Sequence, residues 1–239
     1  MATLWSDLRY GLRLLRHAPG FTAVAVGALA LGIGANTAIF STVDAVLLRP
    51  LPFADPDRVV MVWEDASASS FPKNTPAPAN FVDWKRRSHV FSDMAATQGA
   101  SASLTADGPP EQVLGRATTA NFFNVLGVRP VAGRVFTEEE DRTGAPVAII
   151  SYALWQRRYA GSAGLIDRDI LINGLKSRII GIMPREFAFR DREMDFWIPI
   201  HLSPARLGDR NSHFLNVVAR LRPGVSLVQA REDMNSIAR

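Results

Sequence analysis

The chain has 239 residues, of which 47% are hydrophobic and 21% are charged. This balance excludes a disordered chain and leaves, beside any membrane segment, about 190 residues for a folded core. Cysteine is absent, which excludes disulfides, thiolate catalysis and cysteine-ligated metals. Part of the net charge of +4 sits at the N-terminus, and the basic clusters 85–87 and 157–158 are typical of solvated helix faces. Nucleic acid is therefore not expected as a partner.

Residues 1–18 are predicted to form an amphipathic helix beside a membrane. Leucines and arginines recur at helical spacing on neighbouring faces, namely Leu8, Leu12 and Leu15 and Arg9, Arg13 and Arg16. Such a helix lies in the headgroup layer with its arginines toward phosphates, and Trp5 and Tyr10 favour the same interface. The alternative is an amphipathic helix packed on a soluble core. Pro19 is expected to end the helix.

Residues 19–48 are predicted to hold one transmembrane helix. No charged residue lies between His17 and Asp44, and the 23 residues from Phe21 to Val43 are about 34 Å long as a helix. This length spans a hydrocarbon core about 30 Å thick. A cleaved signal peptide is the alternative, although the apolar character continues past the small-residue stretch GIGANTA.

The arginines before the span favour a cytoplasmic N-terminus, because short cytoplasmic segments carry an excess of positive charge. The inner (cytoplasmic) membrane is therefore the expected location, with the main domain in the periplasm. Within the span, small residues recur four apart, a spacing that lets helices approach closely. The residues expected to pack against other membrane helices are Gly27, Ala28, Gly32, Gly34 and Asn36. The alternative is a lone anchor rich in alanine and glycine.

Residues 50–239 are predicted to form an α+β domain with a mixed sheet. The predicted strands are 59–63, 100–104, 112–118, 147–150, 169–172, 178–183, 196–200 and 214–221. The predicted helices are one capped by Asn80 that runs to about residue 87, 121–126, 152–159 and a last one that Ser226 and Gln229 open as a capping box. Residues 66–79 are predicted to be a loop. Asn173-Gly174 favours a tight hairpin turn, and Gly127 is placed to end a helix.

The sequence offers no catalytic motif. It has no phosphate-binding loop, no dinucleotide fingerprint and no nucleophile elbow, and its four histidines lack the spacing of a zinc site. Thr137 to Glu140 has the pattern of a capping box, which is favoured over paired catalytic carboxylates. We therefore expect no catalytic, cofactor-binding or metal-binding residue on this chain.

Several segments together resemble MacB-type ABC transporter permeases, above all the acidobacterial duplicated permease group. The matching segments are DLRYGLRLLRHAPGFT, ALALGIGANTAIFSTVDAVLLRPLPFADPDRVV, NFVDW (80–84), NFFNVLGVRPVAGRVFTEEED (121–141), SYALWQRRY (151–159), GIMPREFAF (181–189), FWIPI (196–200) and ARLRPGVSLVQA (219–230). The resemblance implies a first membrane helix followed by a periplasmic core domain of two subdomains. It also implies that ATP is hydrolysed on a separate cytoplasmic ATPase subunit.

The resemblance further implies a second permease subunit or half and a periplasmic adaptor as partners, besides the lipid bilayer. The family continues after the final helix with more strands and membrane helices, so the chain is expected to be C-terminally truncated. Asp167 stands where the family has a glycine before its arginine, so this turn is expected to differ.

The leading hypothesis is a non-enzymatic permease component whose outer domain relays ATP-driven motion for export or mechanotransmission. The alternatives are a single-pass membrane-anchored domain that binds a ligand or partner, and an anchored hydrolase.

Overall fold

The computed structural model describes residues 2–43, 53–66, 71–189 and 194–237. The chain divides into two compact units, Met1–Pro50 and Leu51–Arg239. The predicted end of the transmembrane segment, residues 44–48, lies outside the described residues.

The described residues of the first unit form helix α1 (Ala2–His17) and helix α2 (Pro19–Val43). The boundary predicted from Pro19 is confirmed: Ala18 separates the helices, and Pro19 is the first residue of α2. Proline suits this position because its fixed φ matches a helix and its missing N–H would have no partner there. The Thr22 hydroxyl lies 2.8 Å from the Leu15 carbonyl oxygen and 2.9 Å from that of Ala18. It thereby satisfies carbonyl groups that the end of α1 leaves open.

The second unit alternates strands and helices irregularly. The strands are β1 (Val59–Val62), β2 (Glu64–Ala66), β3 (Phe71–Asn74), β4 (Phe91–Leu104), β5 (Glu111–Thr118), β6 (Ala132–Gly133), β7 (Val147–Ile150), β8 (Asp169–Ile172), β9 (Leu175–Ile182), β10 (Phe196–Pro199) and β11 (Asn216–Leu221). The helices are α3 (Pro78–Arg87), α4 (Phe122–Leu126), α5 (Glu138–Thr143), α6 (Tyr152–Tyr159), α7 (Pro204–Leu207) and α8 (Leu227–Ile237).

Nine of the described strands join one sheet in the order β1-β11-β4-β5-β10-β7-β9-β6, with β8 pairing with β4 and β9. Strand β10 runs parallel to β5 and β7 runs parallel to β9, whereas the other pairs are antiparallel. Strands β2 and β3 form a separate two-stranded sheet. The predicted α+β class with a mixed sheet is confirmed.

Apolar side chains cover both faces of the large sheet, because neighbouring residues of a strand point to opposite sides. Trp197 belongs to an aromatic cluster with Phe122, Phe123 and Phe187, whereas the adjacent Phe196 packs into a cluster with α6. A third cluster lies under α3 and α8. In the described part, all these clusters belong to the second compact unit, and its division into the two subdomains that the resemblance implies stays a prediction.

Three local predictions about this unit are wrong. Strand β4 begins at Phe91, and residues 71–74 of the predicted loop form β3. The stretch from Phe91 to Gly99 contains an aspartate, two alanines and a glycine, which are poor strand formers, and its pairing with β11 and β5 decides its structure. Helix α3 begins at Pro78, not at Asn80, and the Asn80 amide donates to Glu64 Oε1 at 2.7 Å.

Two turns depend on left-handed backbone. Asn173 and Gly174 have φ of 51° and 77°, which confirms the predicted tight turn between β8 and β9. Asp167 has φ of 66°, and its amide donates to the Ile179 carbonyl at 2.8 Å. Aspartate tolerates this conformation, which glycine adopts freely. A difference from the turn of the family stays a prediction.

Gly115 provides a test of the packing between β5 and β10. A Cβ at this position would lie 2.4 Å from the Phe196 carbonyl oxygen, whereas a Cβ at Gly99 of β4 meets no atom within 4 Å. We expect Gly115→Ala to lower the free energy of unfolding of the purified chain by about 1–3 kcal/mol, because the parallel strands must separate. Gly99→Ala is the matched control, and equal denaturant midpoints for the two variants would contradict the packing argument.

Candidate functional site

Helix α2 carries an exposed apolar surface. The span from Pro19 to Ser41 has a mean hydropathy of 1.8 and no buried residue. Eight large apolar side chains are at least 58% exposed: Phe21, Val24, Val26, Leu29, Leu31, Ile33, Ile39 and Phe40. Leaving such a set in water costs about 15 kcal/mol, as much as a whole domain's stability. This length and composition are typical of a membrane span, and a signal sequence near the N-terminus has the same features.

The predicted packing residues of α2 fall on two faces. At about 100° per residue, Gly27 and Gly34 lie on one face, and Ala28, Gly32 and Asn36 lie on nearly the opposite one. All five residues are exposed. A Cβ built on any of the three glycines meets no atom within 4 Å. Their role in helix packing stays a prediction that requires neighbours on both sides.

The predicted anchoring residues of α1 are also exposed. Arg9, Arg13 and Arg16 are exposed along the helix, and Trp5 and Tyr10 each keep 67% of their surface accessible. Leu15 is 47% exposed, and the side chains of Leu8 and Leu12 lie outside the described residues. Interfacial anchoring by α1 stays a prediction.

A polar junction in the second unit centres on Glu64. Its Oε1 accepts hydrogen bonds from the Ala77 amide at 2.9 Å and from the Asn80 side chain at 2.7 Å, and its Oε2 lies 2.8 Å from His213 Nδ1. Arg210 donates to Asn80 Oδ1 and to Asp83 Oδ2, each at 2.7 Å. These bonds tie the strand after β1, the start of α3 and the loop before β11 together.

The same junction borders an open cleft of about 500 Å³, lined among others by Trp63, Asp83, Trp84 and Arg210. The hydrogen bond from Arg210 lowers the pKa of the Asp83 carboxyl below its usual value, with further lowering by Arg210, Arg86 and Arg87 through space. The carboxylate is thereby held ionised, and its charge is committed to the arginine opposite. An acid that is locked in this way suits a structural clamp better than proton transfer.

Asp141 forms a second junction. Its Oδ2 accepts from the Ala120 amide at 3.0 Å and its Oδ1 accepts from the His201 amide at 3.1 Å. Nearby, the Asn121 side chain donates to Asp93 at 2.7 Å and to the Met94 carbonyl at 2.8 Å. Helix α5, the start of α4 and the loop after β10 are therefore fixed to one another.

The acidic run at the start of α5 caps the helix, as predicted. The Glu140 amide donates to Thr137 Oγ1 at 3.1 Å, and the Thr137 amide donates to Glu140 Oε2 at 2.8 Å. Glu140 also forms a salt bridge with Arg134 at 2.6 Å, and Glu139 forms one with Arg142 at 2.6 Å. The hydrogen bond from Arg134 lowers the pKa of Glu140 to about 2, helped by Thr137 and opposed by desolvation. These two carboxylates are thus occupied by structural partners.

Among the described residues, no group of three or more histidine, cysteine, aspartate or glutamate side chains is arranged to hold a metal ion. That the chain has no catalytic or cofactor-binding residue stays a prediction. Sequence reasoning missed the Glu64 and Asp141 junctions. Glu64 and His213 lie 149 positions apart, and no local pattern pairs them.

The acid stability of the domain tests the Glu140 clamp. A carboxyl whose pKa falls from 4.5 to about 2 on folding stabilises the fold above pH 4.5, and this contribution is lost as pH falls toward 2. We expect Glu140→Gln to lower the free energy of unfolding near neutral pH by about 1–2 kcal/mol. The effect is smaller than the full pKa shift implies, because Arg134 is half exposed and solvent screens its interaction with Glu140. Urea unfolding measured as a function of pH checks this.

Glu138→Gln is the matched control, because Glu138 begins the same helix and is exposed. The wild type and this control should lose stability steeply below pH 4.5, and Glu140→Gln less steeply. Parallel pH profiles for all three proteins would contradict the clamp.

The sequence profile of the MacB-like periplasmic core domain matches residues 22–237. The Macrolide export ATP-binding/permease protein MacB 2 of Aeromonas hydrophila is 26% identical over 97% of this chain and 34% of its own length. The protein named MacB of Burkholderia thailandensis is 24% identical over 96% of this chain and 34% of its own. This chain thus spans about a third of these curated relatives.

The fold also resembles a solved structure, the periplasmic region of MacB from Actinobacillus actinomycetemcomitans. The TM-score is 0.56 at 12% identity, over 75% of this chain and 81% of the other. At this level of identity the likeness concerns the fold alone.

Proposed function

This chain belongs to the family of MacB-like periplasmic core domains, and from that premise we propose that it is a non-enzymatic component of an ABC transporter permease. In this proposal α2 is the first membrane helix, and the second unit is an extracytoplasmic domain that relays ATP-driven motion. The observation that carries the proposal is an unbroken apolar helix without a buried residue, in the same chain as a folded body of the family.

The proposed partners follow from the division of labour in such transporters. A cytoplasmic ATPase subunit hydrolyses ATP, a second permease subunit or half packs beside α2, and a periplasmic adaptor contacts the outer domain. The names of the curated relatives describe them as macrolide export proteins with both an ATP-binding and a permease function. For this chain, export is the proposed process, and inner-membrane insertion with a cytoplasmic N-terminus is the proposed topology.

The architecture of the second unit supports transmission of motion rather than catalysis. One sheet of nine described strands runs through it, and the Glu64 and Asp141 junctions connect helices and loops to that sheet. A body connected in this way moves as a unit, because its packed interior does not deform continuously. Displacement of one end is then passed to the other.

The absence of cysteine makes the proposed topology directly testable. We expect single-cysteine variants Ala2→Cys and Lys176→Cys to label from opposite sides of the membrane, since the first precedes α2 and the second lies on an exposed hairpin. A membrane-impermeant maleimide applied to intact spheroplasts should modify only Lys176→Cys. Permeabilised cells should show labelling of both variants.

Alkaline carbonate washing of the same membranes supplies the second arm of this test. The full-length chain should stay in the membrane fraction, because a helix of about 34 Å satisfies its backbone inside the bilayer. Release of intact chain, or a mature chain that begins after α2, would contradict the proposal and favour the signal-peptide alternative.

The open clefts support a second candidate, a membrane-anchored domain that binds a ligand or partner. Besides the cleft at Glu64, another of about 450 Å³ is lined by Leu114, Tyr152, Arg157 and Phe187, among others. Clefts of this size accommodate small ligands. A small molecule retained in stoichiometric amount through purification would favour this candidate, whereas co-purification with an ABC ATPase subunit favours the relay.

Packing of α2 against a neighbouring helix gives a further prediction. We expect Gly32→Leu to reduce co-purification of a tagged with an untagged copy of the chain by about threefold or more, because leucine prevents close approach of helix backbones. Ile33→Phe is the matched control: it adds bulk on the side of α2 that lies away from both small-residue faces. Unchanged recovery with Gly32→Leu, or equal loss with both variants, would contradict a role for this face.

A further inference from the structure

Three arginines of α1 form a continuous cationic row. Arg9, Arg13 and Arg16 are spaced by four and three residues, which places them within about 60° of one another around the helix. The row is about 10 Å long at 1.5 Å per residue. All three side chains are exposed.

The row differs from the arginines of the folded domain. Seven described arginines there contact a carboxylate at 3.1 Å or less, namely Arg86, Arg134, Arg142, Arg157, Arg158, Arg168 and Arg210. No ion pair or side-chain hydrogen bond joins Arg9, Arg13 or Arg16 to any described residue. A guanidinium offers five N–H donors in a fork that fits phosphate, so the row presents unused capacity for an anion.

Aromatic side chains flank the row. Around the helix Trp5 lies on one side of the arginines and Tyr10 on the other, and both are 67% exposed. Tryptophan and tyrosine favour the headgroup level, where the ring contacts apolar matter and the polar edge contacts water. The chemistry of the whole face therefore matches a lipid surface better than a soluble anion.

The junction with α2 sets the depth of the row. Only Ala18 separates α1 from α2, and the Thr22 hydroxyl at 2.8 Å from the Leu15 carbonyl holds the two helix ends together. The apolar span starts at Pro19, three residues after Arg16. If α2 spans the bilayer, the row begins where the hydrocarbon ends, at the level of the lipid phosphates.

We propose that Arg9, Arg13 and Arg16 of α1 form a binding site for the headgroups of anionic phospholipids, flanked by Trp5 and Tyr10. The inference rests on the proposed function, because it needs α2 in the membrane. Zwitterionic headgroups offer the same phosphate but carry a compensating ammonium, so they attract a row of three cations weakly.

The test uses the full chain with a fluorophore on Ala2→Cys, at the far end of α1, reconstituted in nanodiscs. One set of nanodiscs contains phosphatidylcholine alone. In the second set, phosphatidylglycerol replaces part of the phosphatidylcholine. We expect protection from the neutral aqueous quencher acrylamide in the anionic discs, with the ratio of docked to free α1 raised about tenfold or more. High salt should reverse the protection, because it screens surface charge.

The variant Arg9→Gln, Arg13→Gln, Arg16→Gln should lose the difference between the two lipids. Its control removes three exposed charges elsewhere, with Arg129→Gln, Lys176→Gln and Arg222→Gln, and should behave as the parent chain. Inorganic phosphate added to phosphatidylcholine discs should give no protection.

Equal quenching in both lipids, or protection that survives in the triple arginine variant, overturns the lipid site while the chain remains inserted. Protection by inorganic phosphate alone also overturns it, since the row then takes a soluble anion. Failure of the chain to enter discs at all overturns the proposed function together with this site. The two failures are thus distinguishable by the amount of chain per disc.

Discussion

The uncharged helix α2 is the constraint on which the functional interpretation depends. Its large apolar side chains are uncovered in the chain's own fold, and burying them elsewhere is worth about as much free energy as folding a domain. A helix satisfies its own backbone hydrogen bonds, so lipid can provide that burial without leaving polar groups unpaired. The arginines and aromatic rings before it, and the small residues within it, acquire their proposed roles from that placement.

The folded body solves a different problem, which is to keep a large mixed sheet and its peripheral helices in one arrangement. Apolar clusters on both faces provide most of the stability, while ionised side chains fix the loops. Asp141 accepts two backbone amides from separate segments, and Glu64 connects residues far apart in the chain. Charges used in this way hold the fold together, which supports the proposed transmission of motion.

Local patterns with a strong physical preference were predicted correctly. Pro19 separates two helices, Gly127 ends α4 with φ of 68°, and Asn173-Gly174 forms the hairpin turn. Thr137 with Glu140, and Ser226 with Gln229, begin their helices as capping boxes. Where the local preference was weak, prediction failed. The start of β4 is a strand because β11 and β5 pair with it, and Asn80 is not a cap because its side-chain amide bonds to Glu64 and Arg210.

The sequence alone determined the apolar span, the basic helix before it, the α+β class and the resemblance to a permease family. Each of these depends on composition, on short periodic spacing or on local motifs, which can be recognised without knowing the fold. The tertiary structure alone decided the order of the strands and the two junctions. Sheet order and long-range ion pairs depend on contacts between residues distant in sequence, such as Glu64 and His213. The sequence does not show which distant residue a polar or charged side chain will contact, because that contact forms only when the chain folds.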